Sequence, residues 1–191
     1  MTGGLGAGKS TALQALAGLG AATISTDAIV HELYETDRQV RAAVVERFGP
    51  EVAPDGRVDR PAIARLAFAT PEDRAWLEGL LWPKVADRVA AWREEAARRE
   101  PPPRAAVVET PLLFEAGMER IYDATIAIVA DEAVRRERAA ARGHAAVDER
   151  AARQLPQEEK AARATYVVAN SGSVRDLTLA LGRVLDKLKR S

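Results

Sequence analysis

An α/β fold, a three-layer parallel sheet with helices on both faces, is predicted by two features of this sequence. Short apolar runs with β-branched residues recur at 21–25 (AATIS), 105–110 (AAVVET), 124–130 (ATIAIVA) and 165–170 (TYVVAN), the composition of strands buried on both sides. Helical stretches separate them, and that alternation folds into βαβ units with right-handed crossovers. The second feature is a glycine-rich loop at the head of the chain, GGLGAGKS at 3–10. It fits G-x-x-x-x-G-K-[ST], the loop that wraps nucleotide phosphates between a strand and a helix.

The elements follow in order. KSTALQALAG at 9–18 places Ala12, Leu13, Leu16 and Ala17 at helical spacing, with Gly18 or Gly20 available to end the helix. A mostly helical section at roughly 28–100 is too long for a simple crossover and reads as a lobe. Within it Thr70-Pro71 starts a helix that runs through EDRAWLEGLLWPKVADRVAAWREEAARR, with a kink or break near Pro83, until PPP at 101–103 stops it. Trp76, Trp82 and Trp92 lie on that helix and read as lobe core. The section 131–164, rich in Arg and Ala, falls between two strands, where nucleotide kinases carry a lid.

Composition narrows the function classes. A chain of 191 residues suits one domain with an inserted lobe. Lys plus Arg and Asp plus Glu each number 28, so no overall field draws the chain to nucleic acid or membrane. With no cysteine there is no disulfide and no thiolate metal site. No apolar run approaches the roughly 20 residues of a membrane span, and the expectation is a soluble, cytoplasmic protein.

Chemistry concentrates at the glycine-rich loop. Gly3, Gly6 and Gly8 permit torsions and close approaches that aim successive N–H groups at phosphate oxygens. Lys9 adds a point charge at the β and γ phosphates, Ser10 can ligate Mg²⁺, and the following helix contributes its dipole. Asp27 follows the strand AATIS, where a carboxylate could take the proton of an acceptor hydroxyl or could cap the next helix. Glu109, at the end of the strand AAVVET, either holds Mg²⁺ or one of its waters or is an ordinary carboxylate. Glu115, beyond an apolar turn, either holds substrate or is a surface carboxylate, and a capping role is a further alternative for both glutamates. Arg135, Arg136, Arg138, Arg142, Arg150, Arg153, Lys160 and Arg163 include one to three cations for a triphosphate among others that are solvated. His31 and His144 stand apart from each other and form no metal constellation.

Taken together, TGGLGAGKST, STDAIVHEL, FGPEVAPDGRVDRPAIARLAF, LEGLLWPKV, VVETPLLFEAG and RQLPQEEKAARATYVVANSGS resemble the dephospho-coenzyme A kinase family. The resemblance runs from residue 2 to the C-terminus. It implies ATP-dependent phosphorylation of the ribose 3′-hydroxyl of dephospho-coenzyme A, with Mg²⁺, by a single kinase domain. That domain spans 1–191, with a core at about 1–30 and 104–191, a helical substrate lobe at about 31–100 and a lid at about 138–163. Carried over by position, Gly6, Ala7, Gly8, Lys9, Ser10 and Thr11 bind ATP, and Asp27 is the general base. Arg60 and Glu115 lie near the substrate. Arg142 is the lid arginine, with Arg138 second, and Asn170 and Gly172 lie near the adenine. A small-molecule substrate, no nucleic-acid or membrane partner and a monomeric state complete the expectation.

Three departures stand out. Ser25 occupies a position where the family commonly has a second Asp, and Trp82-Pro83 stands where it commonly has His-Pro. The family also has a strand directly before the phosphate loop, whereas here Met1 stands where that strand ends. The first strand therefore looks missing, and the natural chain is expected to begin several residues upstream. Two rival functions fit the loop alone: another small-molecule phosphate-loop kinase, or a non-catalytic ATP-binding module.

Overall fold

The computed structural model describes residues 1–141 and 154–189. In chain order the elements are β1 (Thr2–Gly3), α1 (Lys9–Gly18), β2 (Ala22–Ser25), α2 (Thr26–Thr36), α3 (Arg38–Phe48), α4 (Arg60–Ala67), α5 (Pro71–Ala97) and β3 (Ala106–Glu109). There follow β4 (Ile126–Val129), α6 (Glu132–Ala140), α7 (Gln157–Arg163), β5 (Tyr166–Ala169) and α8 (Val174–Leu188). They form two compact units, Met1–Ile24 with Glu95–Ser191, and Ser25–Glu94.

In the first unit β1, β4 and β5 pair in that order, β1 parallel to β4 with Thr2 opposite Ala127, and β4 parallel to β5 with Ile128 opposite Val168. The strand that the sequence suggested was missing is present as a two-residue stub. Met1 extends it: its ammonium donates to Val108 O at 2.7 Å and its carbonyl accepts from Thr110 N at 2.9 Å. These bonds join the β2–β3 pair to the other three strands, because backbone groups at the sheet centre must be paired when water is excluded.

Successive side chains of a strand face opposite sides. Val107, Ile126, Ile128 and Val168 therefore turn to one face, where Leu16 of α1 and Leu177, Leu181 and Leu185 of α8 complete a core. Leu16, Leu181 and Leu185 are fully buried, each worth about 1.5–3 kcal/mol of transfer free energy. The reverse face offers Val108 and Ala127, and α7 packs beside β1 and β4.

The second unit is helical and buries Leu33, Val40, Val44, Phe48, Ile63 and Leu77. Asp37 caps α3 by accepting from Gln39 N and Val40 N, and Asp59 caps α4 through Ala62 N. Phe48 and Trp76 meet edge to face at 5.4 Å. Of the three tryptophans expected in the lobe core, Trp82 is instead exposed. Of the kink or break expected near Pro83, the break is absent: the helix runs unbroken from Pro71 to Ala97. Pro83 has no N–H to donate, so the helix continues there with one backbone hydrogen bond fewer.

Candidate active site

The chain leaves β1 and turns through Gly4–Gly8 into α1. Gly6 and Gly8 take positive φ, 74° and 86°, a conformation that costs L-residues with side chains roughly 1–2 kcal/mol. Space forbids a side chain as well. A Cβ on Gly6 would strike the carbonyl of Arg135, and one on Gly8 would strike the side-chain amide of Asn170. Both glycines are required by torsion and by packing.

Three distant residues hold this loop from behind. Asn170 is 3% exposed, and its Nδ2 donates to Ala7 O at 2.8 Å while its backbone N reaches Val129 O at 2.7 Å. Arg138 donates to the Asn170 carbonyl at 2.9 Å, and Arg135 Nε donates to Leu5 O at 3.0 Å. The carbonyls of Leu5 and Ala7 are thereby turned toward protein donors, and within the loop Ala7 N donates to Gly4 O at 3.2 Å; successive amides of such a turn suit phosphate oxygens. Lys9 opens α1, and its Nζ reaches back to Gly4 O at 3.3 Å. Ser10 is exposed on the first turn.

Thr11, Asn170 and Gly172, predicted ATP contacts, line one cavity of about 240 Å³ together with Gly8, Arg138, Ala141 and Val174. Its floor is the end of β5 and its side is the first turn of α1. A larger cavity of about 720 Å³ opens beside Gly4 and Leu5 and is bounded by Arg135, Arg136 and the 154–158 segment. The structure thus brings the predicted loop and adenine-side residues together.

The acidic candidates are placed differently from one another. Glu109 ends β3 and is 6% exposed. Its charge lies near two buried ammonium groups, that of Lys160 and that of Met1, whose value burial pushes down to about 6 against the opposing pull of Glu109. Glu115 is directed inward: its Oε1 accepts from Leu155 N at 2.8 Å and pairs with Lys160 Nζ at 2.8 Å. Glu109 and Ser10 offer oxygen donors, the type that Mg²⁺ takes while keeping several waters and substrate phosphates as its other ligands. The residues present therefore fit that ion.

In the helical unit, Asp27 is exposed in the first turn of α2. The capping alternative does not hold for it, because the helix begins at Thr26 and the N-cap position belongs to Ser25. A carboxylate there gains from the helix dipole. Arg60 starts α4, and its Nη1 lies 3.1 Å from His31 Nδ1, whose other ring nitrogen is 3.2 Å from Glu35. His31 is thus engaged with a predicted substrate residue.

The basic stretch sorts into distinct tasks. Arg136 pairs with Glu132 one turn away on α6. Arg163 donates to Phe114 O and to Glu119 Oε1, with its guanidinium 4.8 Å from the Phe114 ring centroid. Lys160 is fully buried, and its Nζ donates to Pro111 O at 2.6 Å. Burial holds its ammonium below the ordinary lysine range although Glu115 and Glu109 pull it up. Arg142, Arg150, Arg153 and His144 lie outside the described residues. Among the described residues no cluster of His, Cys, Asp and Glu is suited to holding a metal by itself. Sequence reasoning did not anticipate the roles of Arg135 and Lys160, whose partners lie far away in the chain.

This chain is similar to known proteins along nearly its whole length. The family model described as CoaE, dephospho-CoA kinase, matches residues 1–176. The dephospho-CoA kinase of Anaeromyxobacter dehalogenans is 39% identical over 99% of this chain and 90% of its own length. That of Moorella thermoacetica is 37% identical over 100% and 91%. Among solved structures, TT1252 from Thermus thermophilus superposes with a TM-score of 0.77 at 38% identity, covering 98% of this chain and 95% of that one. The dephospho-CoA kinase of Campylobacter jejuni, at 22% identity and a TM-score of 0.67 over 99% and 95%, shares the fold. A match of this extent, on a chain whose phosphate loop is built and braced as described, shows that the protein belongs to the dephospho-CoA kinase family.

Proposed function

We propose that this chain transfers the γ-phosphoryl group of ATP to the ribose 3′-hydroxyl of dephospho-coenzyme A, giving coenzyme A and ADP. The observation that carries the reading is a near full-length family match on a chain that keeps a braced phosphate loop. In the reaction the 3′-oxygen forms a bond to the γ-phosphorus, the bond from that phosphorus to the β-γ bridging oxygen breaks, and the hydroxyl proton leaves to a base. Asp27 is that base, an exposed carboxylate just past the end of β2. The transition state asks mainly for positioning and charge stabilisation. Amides of Gly6–Lys9 and the Lys9 ammonium answer the charge on the phosphates. Thr11, Asn170 and Gly172 form the adenine side of the site. Ser10 and Glu109, the latter by way of a water, would hold Mg²⁺, which would neutralise phosphate charge.

Arg60 and Glu115 serve the acceptor, Glu115 by setting the loop after β3 as well as by its charge. Arg142, outside the described residues, is the lid arginine, with Arg138 second, in a single kinase domain of core, helical substrate lobe and lid. No helix among the described residues is long and apolar enough to cross a membrane, and a monomer in the cytoplasm is the proposed working form. Coupled ADP release tests the reading with ATP, Mg²⁺ and dephospho-coenzyme A, beside adenosine monophosphate, gluconate and no acceptor. Turnover restricted to dephospho-coenzyme A is the expected result. Turnover with a different acceptor, or binding of ATP with no turnover at all, overturns it.

A further inference from the structure

Lys160 is the largest side chain to be fully buried in the described structure. Its Nζ donates to Pro111 O at 2.6 Å and pairs with Glu115 Oε1 at 2.8 Å. Both acceptors are shared. Pro111 O also accepts from Thr2 Oγ1 at 3.2 Å, and Glu115 Oε1 also accepts from Leu155 N at 2.8 Å.

One ammonium therefore joins three pieces of chain. The first is β1, which runs directly into the phosphate loop through Thr2, Gly3 and Gly4. The second is the loop that follows Glu109. The third is the 155–163 segment, itself fastened to the end of β4 by Gln157 Oε1, which accepts from Ala130 N at 2.8 Å. Burying this pair is a poor way to gain stability, since desolvating two charges offsets most of their attraction and apolar replacements of equal volume are often as stable. What an apolar pair would lose is direction: a lysine reaching a carbonyl and a carboxylate at once fixes both.

We propose that Lys160 is a positioning residue for phosphoryl transfer, holding the entry to the phosphate loop and the loop after Glu109 in register through Pro111 and Glu115. The inference rests on the kinase reading above. Phosphoryl transfer is sensitive to such register because misplacing reacting groups by about 1 Å can cost a factor of about 100 in rate. Ground-state contacts with either substrate need not change.

The test uses the full chain and replaces the pair together, Lys160→Met with Glu115→Gln, so that no buried charge is left alone; the parent chain is the reference for unfolding, and Glu115→Gln is the reference for turnover and exchange. Steady-state kinetics with both substrates varied, urea unfolding, and hydrogen exchange at the amides of Ala7 and Thr110, which donate to Gly4 O and Met1 O, are measured side by side. The expected result for the double variant is an unfolding midpoint unchanged from the parent's and kcat at least tenfold below that of Glu115→Gln. KM for ATP and for dephospho-coenzyme A stays within about twofold, and the Ala7 and Thr110 amides exchange at least tenfold faster. Unchanged kcat, unchanged exchange, or kcat falling only in step with the folded fraction overturns the proposal. Should the parent chain prove inactive on dephospho-coenzyme A, the exchange result still decides the positioning role, and only the kinase reading falls.

Discussion

Gly8→Ala probes two forces that the structure separates. Gly8 has φ 86°, so an alanine there carries roughly 1–2 kcal/mol of backbone strain whatever surrounds it. Its Cβ would also displace the Asn170 side-chain amide. That amide reaches Ala7 O at 2.8 Å, and Ala7 is fully buried, so its carbonyl would lose its partner at a cost of about 1–3 kcal/mol. The single variant should therefore lose about 2–5 kcal/mol. Asn170→Ala alone forfeits the same hydrogen bond and should lose about 1–3 kcal/mol. In the double variant the amide is already gone, and Gly8→Ala should cost only its torsional share of about 1–2 kcal/mol. The cycle predicts a coupling of about 1–3 kcal/mol, well beyond the few tenths expected of independent sites. Urea unfolding of the four proteins measures it. If the two losses add to within about 0.5 kcal/mol, the amide does not depend on the missing side chain and the account of this loop is wrong.

Three further outcomes follow from other parts of the molecule. Asp27→Ala should lower kcat by about 100- to 10,000-fold, the range for a lost general base, while equilibrium binding of ATP changes little; equal losses in both would remove Asp27 from that role. The Met1 amine, held at about 6 by burial against an ordinary value of 8.0, binds fewer protons folded than unfolded between those values. Its contribution therefore makes stability rise with pH across that window, by about 2–3 kcal/mol at about 1.4 kcal/mol per pH unit, and a flat urea midpoint from pH 6 to 8 would contradict the burial. Asp37 accepts from Gln39 N and Val40 N and pairs with Lys84 at 2.8 Å. Asp37→Ala should cost about 0.5–2 kcal/mol as a lost helix cap, and thermal melting with no change in midpoint would mean that α3 does not rely on it.

The sheet was legible because strands buried on both faces leave uninterrupted apolar runs, and each of the four runs read from the sequence contains a strand. β1 was not, since two residues carry no periodicity and this strand exists through its bonds to Val108, Thr110 and β4. The phosphate loop was legible from its glycines and Lys9, which are local. Its bracing was hidden: Asn170 follows Ala7 by 163 positions and Arg135 follows Leu5 by 130, and no spacing rule reaches so far. Lys160 looked like one more solvated cation in a basic stretch. Only tertiary packing distinguishes it from Arg136, which sits on a solvent-facing helix and pairs with its own neighbour Glu132.

The same contrast explains how the loop can be ready before nucleotide arrives. Its carbonyls at Leu5 and Ala7 are taken by Arg135 and Asn170, and its glycine torsions are fixed by contact with those same residues. Ordering a backbone segment costs roughly 1–2 kcal/mol per residue, and here folding meets that cost before phosphate binds. Lys9 keeps a longer bond, 3.3 Å to Gly4 O, which a phosphate oxygen can replace with a stronger charge-assisted one. The rigid part of the site is thus its backbone, and the part that exchanges partners is the lysine. A ligand whose oxygens accept from the loop amides should then slow their exchange, while the Leu5 and Ala7 carbonyls keep the protein donors that already hold them.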